Sequence, residues 1–182
     1  MKINRLTAIL IAAAAFGSAQ ANLVQNGGFE TGTFSSWTTQ AAGSGSHFMI
    51  TTPSFSGNWA AGFMANAGQH DQISQVLATN ANTDYTLSFW LYNAGLENDS
   101  LVVKWEGSTV LNLTPVFTAL EDWTFFSIPV SATQSGSELR FMAHDGNSMV
   151  GLDDITVNPV PEPGTLAALS LGGLALLRRR RR

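Results

Sequence analysis

The chain has 182 residues, a formal charge of −4 and no cysteine, which excludes a disulfide framework, thiol chemistry and Cys-bound metal centres together. Seven of its nine basic residues sit at the two ends, in Lys2, Arg5 and Arg178 to Arg182. Between residues 22 and 160 only Lys104 and Arg140 face twelve acids, a balance of −10 that repels phosphate backbones, excludes nucleic acid and suits a neutral or cationic partner.

Met1 to Ala21 reads as a Sec-type signal peptide. Lys2 and Arg5 form the charged start, Leu6 to Phe16 the apolar helix, and Ala19-Gln20-Ala21 a small-x-small cleavage site. Cleavage after Ala21 makes Asn22 the mature N-terminus. The alternative, an uncleaved anchor, has an apolar run too short to span a bilayer comfortably.

From Asn22 to Asn158 no 3.6-residue periodicity is sustained, and short alternating segments recur between Gly, Asn, Ser and Asp clusters. The expected fold class is all-β, a two-sheet sandwich or jelly roll over residues 22–158. In chain order the strands are His47 to Thr51, Trp59 to Met64, Gln72 to Leu77, Asp84 to Tyr92, Ser100 to Trp105, Thr109 to Leu113, Trp123 to Val130, Glu138 to Ala143 and Met149 to Val157. Turn residues separate them at Ser56-Gly57-Asn58, Glu106-Gly107-Ser108 and Ser135-Gly136, among others. The clearest strand places Tyr85, Leu87, Phe89 and Leu91 on a core face and Trp90 and Tyr92 on the reverse.

The opening Asn26-Gly27-Gly28-Phe29-Glu30-Thr31-Gly32 with Trp37, the strand Tyr85-Thr86-Leu87-Ser88-Phe89-Trp90, and the closing Gly151-Leu152-Asp153-Asp154-Ile155 resemble the galactose-binding-like jelly roll of bacterial carbohydrate-binding modules. The resemblance implies that the first and last segments lie side by side. It also implies a structural Ca²⁺ there, held by Glu30 with Asp153 or Asp154, since hard oxygen ligands suit that ion. Strict alternation groups Asp153 with Ile155 and Val157 and so favours Asp153 as the inward aspartate. The alternative leaves these acids as solvated turn charges.

A ligand face is expected where Trp90 and Tyr92 lie beside Arg140 and His144, if their two strands are neighbours. Aromatic rings beside a fixed donor hold flat sugar faces and hydroxyls. Trp37 and Trp123 are assigned to packing, and Trp105 joins Trp90 and Tyr92 as a candidate contact. His47, His70 and His144 lack metal spacing. No Gly-x-Ser-x-Gly elbow, His-Glu-x-x-His or phosphate loop is present, and the nearby acid pairs Glu97/Asp99 and Glu121/Asp122 read as turn chemistry, so catalysis is not expected.

At the end, Pro161-Glu162-Pro163 precedes fourteen uncharged residues, Gly164 to Leu177, and then the arginines. As a helix that stretch rises about 21 Å, short of a hydrocarbon core of about 30 Å, and the arginines stay cytoplasmic by the positive-inside rule. These parts resemble the PEP-CTERM sorting signal of Gram-negative bacteria that carry an exosortase. The resemblance implies residues 159–182 as the signal, transient insertion in the inner membrane through 164–177, cleavage near Pro161, Glu162 and Pro163, and delivery to the cell surface. A plain C-terminal anchor is the alternative. The resulting expectation is an exported, exosortase-processed surface or matrix protein whose jelly roll binds glycan or exopolysaccharide without catalysis. The alternatives are a structural or adhesive protein with no sugar ligand and, last, a small glycan-active enzyme.

Overall fold

The computed structural model describes residues 22–44, 46–65, 69–93, 99–114, 120–144 and 149–161. The signal peptide with Ala21, Glu162, Pro163, the apolar segment 164–177 and the arginine tail lie outside the described residues. Among those described, no helix is long and apolar enough to cross a membrane.

Ten strands follow in chain order: β1 (Thr38–Gln40), β2 (His47–Thr51), β3 (Ala60–Met64), β4 (Asp71–Leu77), β5 (Thr83–Asn93), β6 (Ser100–Trp105), β7 (Ser108–Leu113), β8 (Leu120–Ala132), β9 (Ser137–His144) and β10 (Val150–Pro159). They form two antiparallel five-stranded sheets. The first has the order β1-β4-β9-β6-β7 and the second β2-β3-β10-β5-β8. The all-β sandwich anticipated from the pattern is therefore present, with nine of the strands close to their expected bounds. The tenth, β1, is three polar, exposed residues with no alternation to reveal it.

Period-2 patterning dictates the layering. In β5, Tyr85, Leu87, Phe89 and Leu91 are buried while Thr86, Ser88, Trp90 and Tyr92 are half-buried on the reverse. Leu139, Phe141 and Ala143 of β9, with Leu101, Val103 and Trp105 of β6, bury the opposing face. Phe89 and Phe141 meet edge to face across the sandwich at 5.2 Å between centroids. Each such ring contributes about 1.5–3 kcal/mol by leaving water. Trp105 is buried, and its Nε1 donates to the Ser131 carbonyl, so it is a packing residue and not a ligand contact. Trp37 is likewise buried and stacks on Phe29.

The opening segment runs beside β10. Leu23 N donates to Val157 O, Ile155 N to Gly27 O, and the Asn22 side chain joins Val157 N and Ile155 O. A side chain at Gly27 would collide with the Ile155 carbonyl, which is why glycine stands there. The expected alternation in β10 fails at one point. A register shift between Asp153 and Thr156, with Asp154 at φ 47°, inserts a bulge. Leu152, Ile155 and Val157 all enter the core, whereas Asp153 pairs opposite Trp90 on the outer side of the second sheet. Asp153 is still fully buried, because the 52–59 loop covers it.

Candidate functional site

The two outer faces differ in chemistry. The outer side of the first sheet is polar, and the register builds a row across all five strands: Thr38, Ser74, Arg140, Lys104 and Thr109. Both basic residues of the segment 22–160 therefore stand directly opposite each other. Arg140 Nη2 donates to both Glu138 carboxylate oxygens at 2.8 and 3.0 Å, and Nη1 to Gln72 Oε1 at 3.3 Å. These bonds fix the guanidinium in one plane, lowering the ordering cost of any ligand it meets. Beside it lies a depression of about 250 Å³ between β1, β4 and β9, lined by Thr38, Gln40, Gln72, Ser74, Glu138 and Arg140 among others. The aromatic residues of these five strands, Trp105 and Phe141, are both buried.

At one end of the same face, His70 Nε2 and His144 Nδ1 bracket the Ser100 hydroxyl at 2.7 and 3.1 Å, with their rings stacked 5.1 Å apart. One hydroxyl proton serves one ring, so the other must donate to the oxygen. Burial holds His70 below the usual imidazole range. The sequence gives no spacing that pairs these two histidines. Cross-strand register alone places Ser100 against His144.

The outer side of the second sheet is aromatic. Trp90 pairs opposite Phe125, with rings 5.2 Å apart, and Tyr92 lies 5.5 Å from Trp123. Phe55, from the 52–59 loop, lies flat on Trp90 at 3.7 Å and meets Trp123 edge-on at 6.4 Å. Phe55 and Phe125 are 39% and 53% exposed, so they are the rings that solvent meets, and Trp90 is held between them. Trp123, expected to pack in the core, belongs to this outer cluster. It leans over Gly151, where a side chain would press against its ring.

The expected grouping of Trp90 and Tyr92 with Arg140 and His144 does not form. β5 pairs with β10 and β8, and β9 with β4 and β6, so the two pairs occupy opposite faces of the sandwich. Strand adjacency is a long-range property that alternation within a strand does not carry.

Glu30, Asp153 and Asp154 do gather, around the 52–59 loop. Asp153 Oδ2 accepts Phe55 N and Ser56 N at 2.9 and 3.1 Å, and Asp154 Oδ1 accepts Ser56 Oγ at 3.0 Å. Glu30 accepts Asn58 N and Trp59 N, both at 2.8 Å, and these backbone donors hold its carboxyl below the usual range. Burial pushes Asp153 up to about 6, against the pull of the Ser56, Asp154 and Phe55 amides. A side chain at Gly28 would fill a space 3.2 Å from Asp154 Oδ1 and 3.7 Å from Asp153 Oδ1. The Oδ1 atoms of both aspartates thus approach Gly28, and Asp153 Oδ1 also accepts Asp154 N at 2.7 Å. Glu30 turns its oxygens to the loop instead, and among the described residues no group of three or more acidic or histidine side chains is placed to hold an ion.

A two-sheet jelly roll of this topology is the architecture of carbohydrate-binding modules. The chain aligns with the module TmCBM61, solved with β-1,4-galactotriose, at a TM-score of 0.61 and 18% identity, over 77% of this chain and 99% of that one. It aligns with the CBM22-1 xylan-binding domain of Paenibacillus barcinonensis Xyn10C at 0.55 and 21%, over 79% and 97%. The enzymatically active domain of bacteriophage CBA120 tailspike protein 4 also aligns, at 0.59 and 15%, covering 76% of this chain but only 21% of the tailspike chain. No curated protein matches significantly in sequence. Residues 159–182 match the PEP-CTERM protein-sorting motif, so the chain joins a carbohydrate-binding-module fold to a sorting signal that marks an exported protein.

Proposed function

We propose that this chain is an exosortase substrate whose jelly roll binds a neutral glycan, without catalysis, in the polar depression on the first sheet. The observation that carries the reading is the fixed Glu138–Arg140–Gln72 network bordering a concavity of about 250 Å³. A sugar hydroxyl donates to the carboxylate while its neighbour accepts from the guanidinium, and the amides of Gln40 and Gln72 complete such a set. The single carboxylate in that depression is tied to Arg140, whereas glycoside hydrolysis calls for two acids facing each other across the bond. The neighbours solved with galactotriose or described as xylan-binding support the ligand class.

The test is calorimetry of the full chain against β-1,4-galactan and xylan oligosaccharides. Binding should weaken roughly tenfold or more in Arg140→Ala, since hydrogen bonds to charged groups contribute about 1.5–3 kcal/mol. Affinity for every such oligosaccharide unchanged in Arg140→Ala removes this site. Binding of none of them favours the adhesive reading, to which the exposed thioethers of Met49 and Met64 on the second sheet lend some support. For processing, intact mass of the protein recovered from its own cells should show loss of the residues beyond the Pro161–Pro163 region; a retained Arg182 argues for a plain anchor. We propose further that Asp153 and Asp154 hold a structural Ca²⁺, which supplies charge neutralisation to a buried carboxylate.

A further inference from the structure

The aromatic outer face of the second sheet is not used by the polar depression, and its composition selects a different ligand. Its rings are locked against one another, so presenting them to a partner costs little conformational entropy. Neither of the two basic residues between 22 and 160 lies on this face, because both stand on the first sheet. The charges around it are carboxylates. Glu30 fastens the loop that carries Phe55, and exposed Asp122 directly precedes Trp123 and accepts its amide. An aromatic face attracts a cation through its quadrupole, and that attraction grows beside uncompensated negative charge. A segment charge of −10 also draws cations from a distance and turns uronates away.

We propose that this face is a second glycan site, specific for sugars that carry free, protonated amines. Phe55 and Phe125 take the flat sugar faces and the ammonium groups lie toward the carboxylates. Flat, rigid rings on a sheet suit a pyranose chain better than the long flexible side chains of a basic protein. The inference rests on reading the chain as a glycan-binding surface protein, but not on the depression around Arg140.

The experiment is a tryptophan-fluorescence titration of the full chain at mildly acidic pH with an oligomer of β-1,4-linked glucosamine and with its fully N-acetylated counterpart. The two share one backbone and differ at nitrogen, a protonated amine in the first and a neutral acetamide in the second, and the salt dependence isolates the contribution of charge. The glucosamine oligomer should bind saturably, at least about tenfold more tightly than the acetylated one, and should weaken as salt rises. Phe125→Ala, at an exposed position that leaves folding intact, should lower the affinity about tenfold, and Trp123→Ala should do the same. Arg140→Ala should leave this binding unchanged while weakening that of neutral oligosaccharides about tenfold or more, so the failure of either site is seen separately. Equal affinity for both oligomers overturns the proposal, as does binding insensitive to Phe125→Ala. Polylysine binding as tightly as the glucosamine oligomer overturns it in favour of a basic protein partner, and concentration-dependent self-association that masks the tryptophans overturns it in favour of a second copy of the chain.

Discussion

The two outer faces of this sandwich share one core and diverge in everything that points away from it. The first sheet presents hydroxyls, amides, two histidines and both cations of the segment 22–160, around a shallow concavity. The second presents stacked rings and thioethers with carboxylates nearby. Because side chains alternate along each strand, one set of ten strands carries a common interior and two independent exteriors. Function can differ between the exteriors without disturbing the fold, and this separation is open to test.

The largest effect should come from the shared interior. Phe89→Ala removes a fully buried ring that packs on Phe126 and Phe141, and should cost about 3–5 kcal/mol by urea denaturation. Phe125→Ala, one sheet face away and 53% exposed, should cost about 1 kcal/mol or less. Similar losses at both positions would mean that the outer aromatic cluster is structural, and the contrast between interior and exterior would collapse.

Next comes Asp153, the one buried charge of the second sheet's outer side with a marked shift. Its carboxyl rises from an ordinary 3.8 to about 6, so the folded state holds the proton more tightly than the unfolded one. The contribution of Asp153 to stability is therefore greatest at low pH and falls by about 3 kcal/mol as pH climbs between those two values. Thermal melts across that range should show the decline, and Asp153→Asn should flatten it. The calcium proposed at Asp153 and Asp154 would reverse the shift by neutralising the carboxylate, so the melting temperature at neutral pH should then rise with calcium and drop with chelator. Identical melting in both removes the ion from this chain.

How much of this was legible before folding divides along physical lines. The core face of β5 followed from Tyr85, Leu87, Phe89 and Leu91, since alternation needs only neighbours in sequence. The meeting of the first segment with β10 followed from resemblance, and Gly27 shows why that motif wants glycine. The orientation of Asp153 did not follow, because a bulge changes which face each later residue takes and nothing in Leu152-Asp153-Asp154-Ile155 announces it. Nor did the partition of the site. Trp90 and Tyr92 were correctly placed on an outer face, and so were Arg140 and His144, but which sheet each strand joins is settled by pairings between residues far apart in the chain. The same long-range pairing makes His70, Ser100 and His144 a cluster.

The smallest effect concerns the like charges of the first sheet. Lys104 stands directly opposite Arg140, and residues so placed on one face of an antiparallel pair repel when their charges match. Glu138 offsets part of this by holding Arg140 in the one ion pair found among the described residues. Lys104→Gln should therefore stabilise the fold by a few tenths of a kcal/mol, near the lower limit of what surface charges contribute. In a Glu138→Gln background, where Arg140 has lost its counter-charge, the gain from Lys104→Gln should grow. Urea midpoints for the four proteins of this cycle measure it. Since Lys104 belongs to the row but does not line the depression, its replacement should leave neutral-glycan affinity unaltered. A fall in stability on removing Lys104 would show the two cations held by a shared anionic group instead, and the depression would then have to be redrawn to include β6.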